Sequence, residues 1–282
     1  WHHIKNSGKF PEAENLTLEW VGMIPGKRES RRFEGDHILT QHDIVEQRAH
    51  DDAVAFGGWA SDVHPPGGVF SAEPGCTQWH AKGVYPIPYR CLYSRNLSNL
   101  FLAGRIISAS HVAFASSRVM ATCAHVGQAV GAAAAVCRRH GILPRAVLQN
   151  AHLTELQRDL LRTGQHIPGL ALRDDADLAR QAEISASSEL RLAELPPDGP
   201  WRPLDSSVAM LLPLAAGAAP RLTVHAEVKQ ATELTVELRR SVRPDNHTPE
   251  VTLERQTLRL VPGNQQLEVT FTRSLEDERY AF

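Results

Sequence analysis

The sequence predicts a chain of mixed class, an α+β or α/β part over residues 1–170 followed by an antiparallel β-sandwich over 201–282. Two patterns carry this. Around 97–141 an apolar run ends in glycine and gives way to a long helix rich in small residues, and over 222–271 apolar and polar residues alternate strictly. Between them, 171–200 is polar and proline-rich, as a linker is.

Taken in order, Leu16–Met23 and His37–Leu39 read as short strands within a sheet-forming region, 1–95. Lys27-Arg28-Glu29-Ser30-Arg31-Arg32 is either an anion clamp or a solvated strand edge. Residues 53–95 hold many Gly, Pro and aromatic residues and read as ordered but irregular. Leu100 to Ala103 reads as a buried strand, and Gly104 as a sharp turn where backbone can approach a ligand. From about Ser117 the period becomes helical, with Val119, Met120, Cys123, Val126, Val130 and Ala134 on one face and Ser116 or Ser117 as N-cap. Gly127, Gly131 and Ala135 form a small-residue row on that helix. Gly141 stops it, after Arg138, Arg139 and His140, whose charge suits a helix C-terminus. A second amphipathic helix lies within 144–170, with Leu153, Leu156, Leu160 and Leu161 on its face. Five alternating runs then follow, at 222–228, 233–238, 251–253, 256–261 and 266–271, with turns at Pro244-Asp-Asn and Pro262-Gly-Asn.

A chain of 282 residues, 42% hydrophobic and 22% charged, is an ordinary globular one, and its net charge of -2 supplies no basic face for nucleic acid. The closest approach to a membrane span, Met120 to Cys137, contains His125 and Gln128 and is mostly alanine and glycine, so it reads as a packing helix. Cys76, Cys91, Cys123 and Cys137 show no C-x-x-C spacing, and Cys123 and Cys137 stand about 21 Å apart along one helix, so all four read as free thiols. That favours a reducing, cytoplasmic compartment, with a secreted or periplasmic one left open.

Strand, glycine turn, polar loop and helix together are how backbone holds a dinucleotide. Asn99-Leu-Phe-Leu-Ala-Gly-Arg105, Ser108-Ala-Ser-His111, and Ser117-Arg-Val-Met-Ala-Thr-Cys123 through Gly131 resemble the C-terminal FAD-contacting segment of bacterial FAD-dependent oxidoreductases of the glutathione reductase fold. Trp20–Phe33, Gly57–Gly67 and Ile87-Pro-Tyr-Arg-Cys91 are similar to the same family, in the expected order. The resemblance implies a partial, Rossmann-like FAD-binding domain with substrate-domain strands in 1–95, the FAD-contacting strand and helix in 97–141 and a helical tail in 144–170. A Gly-x-Gly-x-x-Gly turn, which such a family carries on the diphosphate, is not in this sequence, and the chain opens at Trp1, so the expectation is a fragment of a longer enzyme, inactive by itself.

By that resemblance the cofactor is FAD, met by Gly104, Arg105, Ser117, Arg118 and Val119, with the helix start near the flavin ring. Arg105 alone reads equally as a diphosphate or substrate contact or as a salt bridge. Asp62 and His64 are two apart in an extended segment, hence on one face, where Asp orients His for proton transfer. His111, and less so His80, are further proton-transfer candidates. No set of His, Cys and carboxylates has metal spacing, His37 and His42 being scattered, so no metal centre is expected. No Gly-x-Ser-x-Gly elbow occurs. The expected function is hydride transfer from a small organic, carbohydrate-related substrate to flavin. The sandwich is read as an accessory module that contacts glycans or serves as a structural cap. The alternatives are a non-catalytic carbohydrate-binding or structural protein on a degenerate scaffold, and reduction of isoprenoids on the same fold.

Overall fold

The computed structural model describes residues 1–24, 29–189 and 195–282, which fall into two units, Trp1–Arg32 and Phe33–Phe282. In the first, a short helix α1 (His2–Asn6) precedes a 3-10 turn, Pro11–Asn15, opened by a proline whose missing N–H would have had no partner there. Lys5 Nζ ties the two, donating to the carbonyls of Ala13 at 2.8 Å and Leu16 at 2.7 Å. Leu16–Met23 is not a strand. It has no ladder partner among the described residues, and Trp20, Val21 and Met23 stand exposed, so its apolar content makes no sheet. Lys27 and Arg28 of the basic run lie outside the described residues; Glu29 and Arg32 form an ion pair.

The second unit runs through α2 (Gln41–Val45), β1 (Ala53–Gly57), β2 (Ser61–Val63), β3 (Thr77–Trp79), β4 (Tyr85–Pro88), α3 (His111–Ser117), α4 (Met120–His140) and α5 (Asn150–Arg162). Its centre is the antiparallel β1–β4 ribbon, with α4 and α5 packed on β1. β4 is buried throughout because Tyr85 and Ile87 fill the core together with Val54, Tyr89, Tyr93, Phe114, Val126, Leu156 and Leu160. Each of the three tyrosines keeps a hydrogen bond inside: Tyr85 with the Ser116 hydroxyl at 2.7 Å, Tyr89 to the Pro144 carbonyl at 2.8 Å and Tyr93 to Asp36 at 2.7 Å. Burial pushes the Tyr85 phenol up to about 12.

Two expected strands shrink to single bridges. Leu39 bridges Ala109 through Leu39 N to the Ser108 carbonyl and Ser110 N to the Leu39 carbonyl, and Tyr93 bridges Phe101 through Ser94 N to Leu100 and Leu102 N to Leu92; the neighbouring amides bond other segments, His37 N to Arg90, Ser108 N to Cys91 and Arg95 N to Glu34. The helix also starts elsewhere than expected. Ser110 caps α3, its Oγ accepting from Ala113 N at 3.2 Å, while Ser116 and Ser117 are buried at the end of α3 and cap nothing. Ser116 is committed to Tyr85 and to the Trp59 carbonyl, at 2.6 Å. The buried stripe of α4 is Thr122, Val126, Ala129, Ala133 and Val136. Met120 and Ala134, expected inside, are exposed, and a Cβ at Gly127 or Gly131 would meet nothing within 4 Å. Gly141 ends α4 at φ +65 behind Arg138, Arg139 and His140, as the sequence predicts, and α5 buries Leu156 and Leu160 with Leu153 and Leu161 packed beside them. Among the described residues α4 is the helix long and apolar enough by composition to cross a membrane; its buried stripe lies in the core just described.

The rest of the unit is β5 (Leu212–Leu214), β6 (Gly217–Ala218), β7 (Leu222–Val228), β8 (Thr232–Arg240), β9 (Val251–Leu260), β10 (Gly263–Val269), β11 (Ser274–Leu275) and β12 (Arg279–Ala281). One sheet has the order β5-β12-β8-β9, and β7 pairs with β10, β6 with β11. Leu238 from the sheet and Val269 and Phe271 from and beyond β10 share one apolar cluster with Leu275 and Ala281. The two runs at 251–253 and 256–261 are one continuous strand, β9. Among the described residues every strand ladder is antiparallel, the isolated Leu39–Ala109 bridge being parallel, and of the two classes the sequence allows the fold fits α+β.

Polar groups join the strands to the earlier part of the unit. Gln47 and Asn246 exchange two buried amide hydrogen bonds of 2.8 and 2.9 Å, Lys82 meets Glu250 at 2.6 Å, and His247 N donates to the Lys82 carbonyl at 2.6 Å.

Candidate functional site

Three of the residues the sequence singles out for separate jobs come together. β2 carries Asp62, and His64 follows it; His64 Nε2 lies 3.4 Å from Asp62 Oδ2 while its Nδ1 meets the Gly75 carbonyl at 2.9 Å. Arg118, the residue closing α3, reaches across and donates to the Asp62 carbonyl at 2.8 Å and to its Oδ2 at 3.3 Å. The guanidinium is held over the Phe114 ring, 5.8 Å from its centroid, one helical turn back on α3. Asp62 Oδ1 is buried without a hydrogen-bond partner, and His64 is half exposed. Both ring nitrogens of His64 face oxygens, so the neutral ring donates to Gly75 or to Asp62, one at a time. A carboxylate fixed by arginine beside an accessible imidazole is a group that can take up and deliver one proton.

A few residues along, the chain meets the expected cofactor contacts. Gly104 opens a 3-10 turn, Gly104–Ile106, at φ +62, a conformation that side chains rarely adopt, and this turn packs on α4 near Cys123. Burial pushes the Cys123 thiol up, with the nearby Arg105 cation pulling it the other way. Val119 precedes α4 without any side-chain cap, so the amides of Met120, Ala121 and Thr122, which come before the first intrahelical bond from Cys123 N, look out of a 21-residue helix whose positive end is here. Met120 covers little of it, being 89% exposed. Ser117 is 2% exposed, so neither its hydroxyl nor its backbone opens outward. His111 begins α3, exposed, about 10 Å along the axis from Arg118.

Sequence reasoning missed Phe114 as the seat for Arg118, although their spacing of four on one helix was readable, and it missed Ser116 as the link between Trp59 and Tyr85, which no local pattern announces. A surface hollow lies elsewhere, lined by Tyr93, Ser94, Arg95, Leu143 and Arg145, and shares no residue with this site. The site is read from its groups and not from that hollow, because an open surface depression without convergent reactive groups is weak evidence.

A glycine turn set against an uncapped helix start suits a nucleotide cofactor, and the comparison with known families agrees. Residues 2–160 match the family described as FAD dependent oxidoreductase. The match spans more than half of the chain, and the chain belongs to that family, a redox one. No curated protein and no solved structure matches it.

Proposed function

We propose that this chain forms the ring-facing side of an FAD site at which a small organic substrate, of carbohydrate-related kind, would give up a hydride to the flavin. The observation that carries the reading is the Arg118–Asp62–His64 chain of contacts, anchored at the end of α3 immediately before the uncapped start of α4. FAD, when bound, supplies the redox chemistry. The residues present fit it: the Gly104 turn admits close backbone approach, the amides of Met120 to Thr122 and the helix dipole favour negative charge, and Arg105 adds a cation. Arg118 positions Asp62, Asp62 orients His64 through Nε2, and when the half-exposed ring releases the Gly75 carbonyl its Nδ1 takes the proton that leaves a substrate hydroxyl on oxidation of its carbon; His111 is the second candidate for that proton. No residue is assigned to the diphosphate, since the chain has no Gly-x-Gly-x-x-Gly turn. We read 171–200 as a linker and 201–282 as an accessory module, of sandwich type, for glycan contact.

The test is to titrate the chain with FAD and follow the flavin absorbance and fluorescence. Association that weakens at least tenfold in Gly104→Val, with the fold retained by circular dichroism, is the expected result. Absence of any association, in this chain and in a version extended at either end, overturns the reading.

A further inference from the structure

The sequence spacing of His37, Asp43 and His50 hides a meeting of the three. Asp43 sits in the first turn of α2, where its Oδ2 accepts from the Thr40 amide at 2.7 Å and the Thr40 hydroxyl at 2.9 Å. That capping box fixes the carboxylate and leaves Oδ1 facing inward with no hydrogen-bond partner. His50 Nε2 lies 3.5 Å from Oδ1, and His37 Nε2 lies 3.4 Å from Oδ2. Neither nitrogen has a hydrogen-bond partner, and the side chains of His50 and Asp43 are only 8% and 2% exposed. The ligating atoms all fall within 4.8 Å of one another.

Asp43 Oδ1 and the Nε2 atoms of His50 and of the partly exposed His37 are shielded from solvent without hydrogen-bond partners, which is costly unless something occupies the space they share. The separations decide what fits. Ligands bound at about 2.0–2.1 Å around a tetrahedral ion stand about 3.4 Å apart, close to the two histidine–carboxylate separations, 3.4 Å to Oδ2 and 3.5 Å to Oδ1. Two imidazoles and a carboxylate are also the donor set that zinc and its borderline neighbours take, leaving a fourth position for water.

We propose that His37, Asp43 and His50 bind a divalent ion of the zinc class, pinning the 37–50 segment ahead of β1. The supports of each ligand agree with that role. The main chain at His37 is held by its amide on the Arg90 carbonyl at 3.3 Å, and the carbonyl of His50 accepts from Ala53 N at 3.0 Å. Arg48 lies 3.8 Å from Asp43 Oδ1 but is half exposed and bonded at 2.7 Å to Glu46, so it can leave the carboxylate to the ion. A surface depression lined by His50, Asp51, Asp52 and Arg90 gives a way in. The other grouping of this kind, His140, His152 and Glu155, is more open, and its His140 Nε2 already meets Glu155 at 2.7 Å. This proposal is independent of the flavin reading.

Calorimetric titration of the chain with zinc is the test, with cobalt as a reporter of coordination number by its visible absorption. One tight equivalent is expected, with a four-coordinate cobalt spectrum, and His50→Gln and His37→Gln each weaken it at least tenfold. The double variant His140→Gln/His152→Gln leaves it unchanged. If His50→Gln loses the fold by circular dichroism, His37→Gln, at a more exposed position, decides alone. Absence of a tight equivalent, or a tight equivalent that survives in His37→Gln, overturns the proposal.

Discussion

The ribbon-and-helix part at 33–168 and the strands at 212–281 are built to different depths. In the first, tyrosines, leucines and valines vanish from solvent altogether, with α4 and α5 packed on β1 and α2 on β4. In the second, β7 alternates between half-buried and exposed, β9 is buried only at Leu260, and five buried apolar side chains make up the shared cluster. The difference teaches that strand alternation makes a sheet cheaply but a deep core only when a second layer covers it. The thinner part is held to the deeper one by amides and charges.

The comparison breaks most visibly in the deep core. Tyr89→Ala removes a fully buried ring and its bond to Pro144, and a loss of about 3–5 kcal/mol is expected in urea unfolding, in line with aromatic truncations in cores. Leu238→Ala in the thin core is expected to cost about 2 kcal/mol, the low end for leucine, because half-buried neighbours can collapse into the gap. If the second loss equals the first, the two parts are equally well packed and the contrast fails. Asn246→Ala strands the Gln47 amide in a buried place and should cost about 1–3 kcal/mol, while Gln47→Ala/Asn246→Ala together costs less than the sum of the two singles. Hydrogen exchange would sharpen this, since Asn246→Ala should speed exchange in β8 and β9 and leave α4 unchanged.

The smallest effect concerns pH. Burial pushes the Asp36 carboxyl up, but the Tyr93 hydroxyl and the Arg145 guanidinium bonded to it pull it down further, and the net result is below its ordinary 3.8. A depressed carboxylate stabilises the fold above the unfolded value and loses that contribution as the pH falls below 3.8 toward the folded one. Asp36→Asn should therefore flatten the acid limb of the stability curve and leave Tm at pH 7 to 8 lowered by a constant amount. An acid limb unchanged in the variant would remove Asp36 from the account.

The sequence made some of this plain and hid the rest for physical reasons. β7, β8 and α5 were legible because each alternates or repeats at its own period against one apolar side. Leu100–Ala103 was misleading, since a short apolar run between turns is buried by its neighbours without needing a ladder. The start of α4 was placed at Ser117 because serine favours helix starts, but Ser116 is claimed by Tyr85 and Trp59, partners more than thirty residues distant in sequence. Asp62 and His64 were readable as a pair from their spacing of two. Their link to Arg118 was not, because it depends on α3 lying against β2. The same limit hid His37, Asp43 and His50.

Gln47 takes a left-handed backbone at φ +49, a bend that most residues other than glycine avoid. The side chain that repays this bend does so by gripping Asn246, 199 positions further along. During synthesis the early part of the unit therefore emerges while its own corner is still unsecured, and that corner closes only once Asn246 has left the ribosome.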